Sequence, residues 1–328
     1  MSQNTVLEIK DLEVELYSEK GPLPVIDKVN LSIKDGEIVG IVGESGCGKS
    51  MLASAIMNLL NSPAKIAAGT IFYDGQDMTT LSSKEFQKIR GNEISMIFQE
   101  PMTSLNPLMK VGKQIEEAIK AHEKVSNTEL KERAIAAIRE VGIPQPEKVY
   151  HDIPSRLSGG MRQRIMIAMA LVCHPKLLIC DEPTTALDVT IQAQILRLIK
   201  KLRDETNTAV IFISHDMGVI YQMVDRVVVM YAGQFVESAP CKKLFEKPLH
   251  PYTIGLQNAI PQINKQQSSL QDIPGSVPML DNLPEGCLFA PRCPFAKNEC
   301  FTKKVPLKHY GDHNVRCLLV DEGGWHNE

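Results

Sequence analysis

No apolar run in this chain approaches the roughly 18 residues of a membrane-crossing helix. Its first residues lack a basic segment followed by an apolar one, the mark of a secretory signal. The expectation is a chain that neither spans a membrane nor carries an export signal. If it works at a membrane, other chains must hold it there. An excess of basic residues is also missing: 36 Lys and Arg stand against 39 Asp and Glu, a formal net charge of −3. That argues against a surface dedicated to nucleic acid. The eight cysteines include no tight pair of the kind that pins two zinc ligands on one turn.

What is present starts with Gly43-Glu44-Ser45-Gly46-Cys47-Gly48-Lys49-Ser50. It fits G-x-x-x-x-G-K-S/T, the phosphate-cradling P-loop, and its flanks are the required ones. Ile38, Val39, Ile41 and Val42 read as a buried strand, and Met51, Leu52, Ala55, Ile56 and Leu59 recur at helical spacing. Glycines at 43, 46 and 48 let backbone N–H groups turn inward, and a helix opening near Lys49 adds unpaired donors and a positive dipole end. Lys49 is placed to reach the β- and γ-phosphates of a nucleotide, and Ser50 to offer its hydroxyl to Mg²⁺. Cys47 reads as a small residue tolerated in the loop rather than a reactive thiol.

At 328 residues the chain is long for one domain. Residues 6–34 give short alternating runs of antiparallel strand, Pro63–Gly69 a break, and 70–98 a mixture of strand and loop. Val111, Ile115 and Ile119 follow one helical stripe; Leu130, Ala134 and Ile138 follow another, opened by a capping box at Ser126 and Glu129. An α/β pattern resumes with a helix from Ser158, a strand at Leu177–Cys180, a helix through Ile191–Leu202 and a strand ending at Ser214-His215. Arg226–Tyr231 and Gln234–Val236 read as a hairpin, and beyond 239 a proline-rich stretch with a polar linker, 264–272, leads to a cysteine-bearing tail.

Two further constellations carry chemistry. Lys176 to Glu182 is an apolar strand ending in two acids: Asp181 belongs beside Mg²⁺, and Glu182 would orient or deprotonate a water. Leu157-Ser158-Gly159-Gly160-Met161 opens a helix whose N-terminus, bare of side chains, suits a second anion site.

With the P-loop, Gln99, the Ser158-Gly159-Gly160 motif, Asp181-Glu182, Ala186-Leu187-Asp188 and His215 in this order, the chain resembles ABC-transporter ATPase subunits over about 6–237. The resemblance implies ATP and Mg²⁺, the metal held by Ser50, Gln99 and Asp181. It implies that Gln99 also senses the membrane part, that His215 touches the γ-phosphate and that Asp188 links two ATPase subunits. Packed head to tail, two such subunits would let Ser158-Gly159-Gly160 of one complete the site formed by Gly43, Ser45, Gly46, Cys47, Gly48, Lys49, Ser50 and Met51 of the other. The family's adenine-stacking aromatic falls at Leu16 by alignment; the neighbouring Tyr17 is expected to serve instead.

Gln99–Pro107, His250–Thr253 and Pro274-Gly275 are similar to stretches of the oligopeptide/dipeptide import ATPases. That likeness implies ATP-driven uptake of short peptides with two membrane permease subunits, a second, sister ATPase and an extracellular peptide-binding protein, and no nucleic acid. Its place would be peripheral, on the cytoplasmic face of the membrane. A related importer of nickel or oligosaccharides is the alternative, and more remotely a soluble ABC ATPase of translation or repair. Translation-type members carry two ATPase halves and repair-type members a long coiled coil, which 100–157 is too short to hold.

Cys287, Cys293, Cys300 and Cys317 have the spacing C-x5-C-x6-C-x16-C. In a reducing compartment they read as a metal or redox site, either zinc or an iron–sulfur cluster. The subgroup resemblance implies a 4Fe–4S cluster, with zinc or a metal-free tail as the alternatives. His309 and His313 could replace one ligand, but surface histidines are the plainer reading. So short a tail is expected to depend on the metal to fold. The expected architecture is an α/β fold: a RecA-like P-loop core with an antiparallel β subdomain and an inserted α-helical subdomain (about 100–157), together spanning 1–240. A linker and small cysteine-rich C-terminal region would occupy 241–328.

Overall fold

A computed structural model describes residues 4–19, 21–99, 104–185, 187–259, 273–321 and 324–325. Ala186 of the expected motif, 100–103 of the Gln99–Pro107 stretch and the linker at 264–272 lie outside the described residues. The chain forms two compact units. One contains Met1–Val6, Ile33–Glu37 and Met78–Ile211; the other contains Leu7–Ser32, Ile38–Asp77 and Phe212–Glu328.

In the P-loop unit, the long strands Thr5–Ser18 and Gly21–Lys34 and the strand Ala64–Tyr73 form an antiparallel sheet, edged by Gln76–Asp77. The expected break at Pro63–Gly69 is strand from Ala64 onward. Gly69 does not end it. The first strand shifts register between Lys10 and Val14, and a Cβ at Gly69 would lie 2.4 Å from the Asp11 carbonyl oxygen. Glycine is there because two backbones meet.

The same unit builds a second sheet around Ile38–Val42, all five residues buried. It pairs in parallel with Arg226–Tyr231, which turns at Ala232 (φ 44°) and Gly233 (φ 82°) into the antiparallel strand Gln234–Pro240. That turn conformation is the one that matches strand twist. Beyond residue 241 the chain does not stand apart: His313–Val315 pairs with Gln234–Pro240, and Lys308–Tyr310 pairs with it in turn. Leu249, Val315, Leu319 and Val320 form a buried cluster with Cys317. Tyr231 packs edge-on against Tyr252 and Phe289, with centroids 4.7 and 5.2 Å apart, and Tyr252 lies tilted against Phe289 at 5.3 Å. The tail therefore buries more apolar surface than so short a stretch was expected to. His313 is also not a surface histidine. It is buried with Nε2 2.7 Å from Oε1 of Glu237, whose carboxylate further accepts the N–H groups of Leu249 and His250. His309 is exposed as expected.

In the other unit, Ile94–Ile97 pairs in parallel with Leu177–Asp181. Helices Val111–Lys120, Asn127–Glu140 and Pro146–Val149 make up the expected insertion, and the stripes of Val111, Ile115, Ile119, Leu130, Ala134 and Ile138 are buried. Ser126 accepts the Glu129 N–H at 3.2 Å as the N-cap. A short helix, Ser83–Ile89, occupies part of what reads as strand and loop. Seven residues are too few to show a 3.6-residue period, yet Ser82 and Glu85 form a complete capping box. Among the described residues no helix is long and apolar enough to cross a membrane.

Candidate nucleotide site

The loop at Gly43 leaves the buried strand Ile38–Val42 and enters the helix Lys49–Ile56 through Gly48, whose φ of 108° and ψ of 0° lie in the left-handed region. That conformation requires glycine, and a Cβ there would also crowd Met230 Cε at 2.9 Å and the Val25 carbonyl oxygen at 3.2 Å. Lys49 is 5% exposed, and its Nζ donates to the carbonyl oxygens of Gly43 at 2.7 Å and Glu44 at 2.9 Å. The ammonium group is thus held inside the loop's curl. Cys47 is buried beside it, and burial pushes its thiol pKa up despite the neighbouring cation. That suits the reading of Cys47 as a packed small residue. Ser45, Gly46 and Ser50 are exposed and Met51 half-buried.

The loop is also held from the C-terminal half of its unit. The Cys47 carbonyl accepts the Gly233 N–H at 2.9 Å. The Glu44 N–H donates to the Tyr252 hydroxyl at 2.8 Å, and Arg292 grips the Glu44 carboxylate with two bonds of 2.6 and 2.9 Å. Sequence reading missed Tyr252 and Arg292 as loop partners. Tyr252 lies in a stretch noted only for its likeness, and nothing local marks Arg292. In the same unit His215 is exposed just past the strand Ala209–Ser214, ahead of the helix Met217–Met223 that Asp216 caps. Tyr17 is 49% exposed, with Lys65 Nζ 5.5 Å from its ring centroid, while Leu16 is partly buried.

The other unit brings Gln99 and Glu182 together. Asp181, 5% exposed, ends its strand, and Glu182 follows with a φ of 47°. A left-handed backbone at a non-glycine costs about 1–3 kcal/mol and is held only where the surroundings impose it. Here Gln163, buried, donates to the Pro183 carbonyl at 2.6 Å and fixes the turn. Glu182 Oε2 accepts from Gln99 Nε2 at 3.0 Å and from Thr185 Oγ1 at 2.9 Å.

Ser158 caps the helix Gly159–Leu171, its Oγ accepting the Met161 N–H at 3.3 Å. The two glycines after it differ. A Cβ at Gly160 would meet Ile191 Cγ2 at 2.9 Å, whereas nothing lies within 4 Å of one at Gly159. Packing accounts for Gly160; only Gly159 leaves open backbone. Asp188 caps the helix Val189–Thr206 by accepting the Ile191 N–H at 2.9 Å.

The cysteine tail is less settled into a site. Like charge from the other tail cysteines adds to burial in raising the Cys287, Cys293 and Cys317 thiols, Cys293 to about 11 and Cys317 to about 12. The Cys287 N–H donates to the Cys300 carbonyl at 2.7 Å, so the backbones of these two cysteines adjoin. Among the described residues, however, no three His, Cys, Asp or Glu side chains are grouped so as to hold a metal ion. As placed, they do not fit a four-thiolate site.

Comparison with known proteins bears on all of these features. A family model for the ABC transporter matches residues 26–185, and one for the oligopeptide/dipeptide transporter C-terminal region matches residues 236–300. The oligopeptide transport ATP-binding protein AppD of Bacillus subtilis is 50% identical over 323 residues, 98% of each chain. The dipeptide transport ATP-binding protein DppD of Haemophilus influenzae is 44% identical over 312 residues, 95% of this chain and 94% of its own. Among solved structures, a dimeric ATP-binding cassette in a post-hydrolysis state with ADP and Pi superposes with a TM-score of 0.65 at 29% identity, over 72% of this chain and 98% of its own. The cassette cbiO1 from Clostridium perfringens gives 0.64 at 28%, over 74% and 92%.

Proposed function

The chain belongs to the ABC-transporter ATP-binding proteins that carry the oligopeptide/dipeptide C-terminal region, and from that premise we propose that it drives uptake of di- and oligopeptides by hydrolysing ATP. The observation that carries the nucleotide reading is the P-loop: a buried strand, a left-handed Gly48 that admits no side chain, and Lys49 held in the curl. Backbone N–H groups from Gly46 to Ser50 and the Lys49 ammonium bind the phosphates. Ser50 on the phosphate loop, and Asp181 and Gln99, carry the oxygens that would hold Mg²⁺, which would neutralise charge developing on the phosphates.

Glu182 accepts a proton from the attacking water, and Gln99, bonded to it, orients carboxylate and water together. His215 supports the γ-phosphate and Tyr17 stacks the base. In a head-to-tail pair Ser158, Gly159 and Gly160 of one subunit close the other's site, with Asp188 nearby. The dimeric cassette that this chain resembles supports a second ATPase, here a sister chain. Two membrane permeases and an extracellular peptide-binding protein complete the assembly, with this chain peripheral at the cytoplasmic face.

Uptake by the reconstituted transporter, with peptides competed against nickel and oligosaccharides, tests the solute. Peptides alone should compete, and competition only by nickel or sugar would replace the peptide reading. A 4Fe–4S cluster on Cys287, Cys293, Cys300 and Cys317, or zinc there, is a separate proposal. It is supported by the four cysteines of one short region, Cys287 and Cys300 adjoining through a backbone bond, and requires their side chains to reorient. Iron content and visible absorption of anaerobically purified protein decide it; a colourless, iron-free sample removes the cluster.

A further inference from the structure

A carboxylate in a loop that binds a polyanion needs an explanation. Glu44 is the second residue of the phosphate loop, its side chain 30% exposed, and nearby triphosphate oxygens would repel it. The C-terminal region supplies the answer. Arg292, with a side chain only 5% exposed, presents its planar fork to both carboxylate oxygens, 248 residues away in sequence. A bidentate pair of this kind is directional as well as attractive. Arg292 is itself anchored: Nε donates to the Pro274 carbonyl at 2.8 Å, Nη2 to those of Ile273 and Gly275 at 3.3 Å each, and Nη1 to the Tyr231 hydroxyl at 3.4 Å. The guanidinium also lies 5.8 Å from the Tyr231 ring centroid and 6.0 Å from that of Phe289. At the other end of the same residue, the Glu44 N–H is fixed by the Tyr252 hydroxyl.

We propose that Arg292 is a positioning residue for nucleotide binding: it cancels the Glu44 charge and pins that carboxylate, so that the loop meets the phosphates already ordered and electrically neutral at its second residue. The C-terminal region then takes part in ATP affinity. The inference rests on the nucleotide reading above, and it differs from a staple that merely attaches the tail. A staple predicts lower stability when cut. Charge cancellation predicts weaker nucleotide binding that is restored by removing the orphaned carboxylate.

The test uses the full chain with Arg292→Gln, Glu44→Gln and both together, reading binding of a fluorescent ATP analogue and the ATPase KM and kcat. Arg292→Gln should raise Kd and KM about tenfold with kcat within about threefold, a like-charge cost of ordinary size. Glu44→Gln alone leaves no orphaned carboxylate beside the phosphates and should not show the Arg292→Gln loss; a loss as large overturns the inference. The double variant should recover most of the loss, because coupled residues do not add. Wild-type binding by Arg292→Gln, or a double variant as weak as the single, overturns the inference. Should Arg292→Gln not fold, Arg292→Lys keeps the charge but not the fork; KM should rise about threefold, and a KM unchanged within about twofold overturns it equally. Lys49→Ala separates the two readings. If it binds nucleotide like wild type, the P-loop assignment fails; if it loses binding while Arg292→Gln does not, only the present inference does.

Discussion

The phosphate loop at Gly43–Ser50 and the groups at Gln99, Ser158–Gly160 and Glu182 are held in contrasting ways. The loop is tied from several sides by its own unit: Lys49 to two carbonyls, Cys47 to Gly233, Glu44 to Tyr252 and Arg292. Gln99, Ser158 and Gly159 are exposed, and Glu182 sits on a strained backbone fixed from behind by Gln163. A cradle for phosphates gains from being formed in advance, since ordering it on binding would cost affinity. On the reading proposed above, groups that act on a water, or on another subunit's nucleotide, gain instead from lying at the surface.

The comparison breaks first at Glu182. Glu182→Gln keeps the side-chain shape and its place beside Gln99 but removes the basic oxygen. Turnover, read as phosphate release, should fall by about 10²–10⁴-fold, while ATP-analogue binding should stay near wild type. Hydrolysis at an unchanged rate would take the general-base role away from this residue.

A second test concerns the ordered side. His250 caps the helix Pro251–Asn258, its Nδ1 accepting the Tyr252 N–H at 3.1 Å. Complete burial pulls its pKa from 6.5 down to about 4. Between these values the unfolded chain binds the proton and the folded chain does not. Stability from this group is therefore present above pH 6.5 and lost as pH falls towards 4. The loss is at most about 3 kcal/mol. In His250→Asn, whose side-chain oxygen can still cap, the melting temperature should fall less steeply over that window than in wild type; parallel curves would exclude His250 as the source.

Legibility follows the same division. The P-loop was readable because its strand, glycines, lysine and helix are contiguous, and the helical stripes because they recur locally. The Arg292–Glu44 pair was not, because the two residues are 248 apart in sequence and neither belongs to a local pattern that asks for the other. Gly69 looked like a break because sequence cannot show a second backbone at Asp11, and His313 looked like surface because its partner Glu237 lies on a strand 76 residues earlier. The Ser158-Gly159-Gly160 run was legible as a motif, but which glycine is needed for packing was visible only once Ile191 was in place.

That last distinction makes the next test. Gly160→Ala forces a methyl against Ile191 and should cost about 1–3 kcal/mol of stability, seen as a lower melting temperature. Gly159→Ala meets nothing and should melt within error of wild type, yet should lower ATPase activity wherever two subunits share a site. Equal melting of the two variants would contradict the packing assignment.

The smallest effects are expected at Gln99 and Thr185. The Gln99 amide holds Glu182 through a single bond of 3.0 Å, and Thr185 Oγ1 holds the same oxygen from the other side at 2.9 Å. Gln99→Ala therefore leaves the carboxylate its Thr185 bond and its strained backbone still fixed by Gln163. Catalysis should fall by about tenfold, the worth of about 1.4 kcal/mol, and far less than on losing Glu182 itself. Thr185→Val should do less again, and the double variant should exceed the product of the two, because each residue covers for the other. Strictly multiplicative losses in kcat would mean that Gln99 acts elsewhere than through Glu182, and its place would then be at the metal alone.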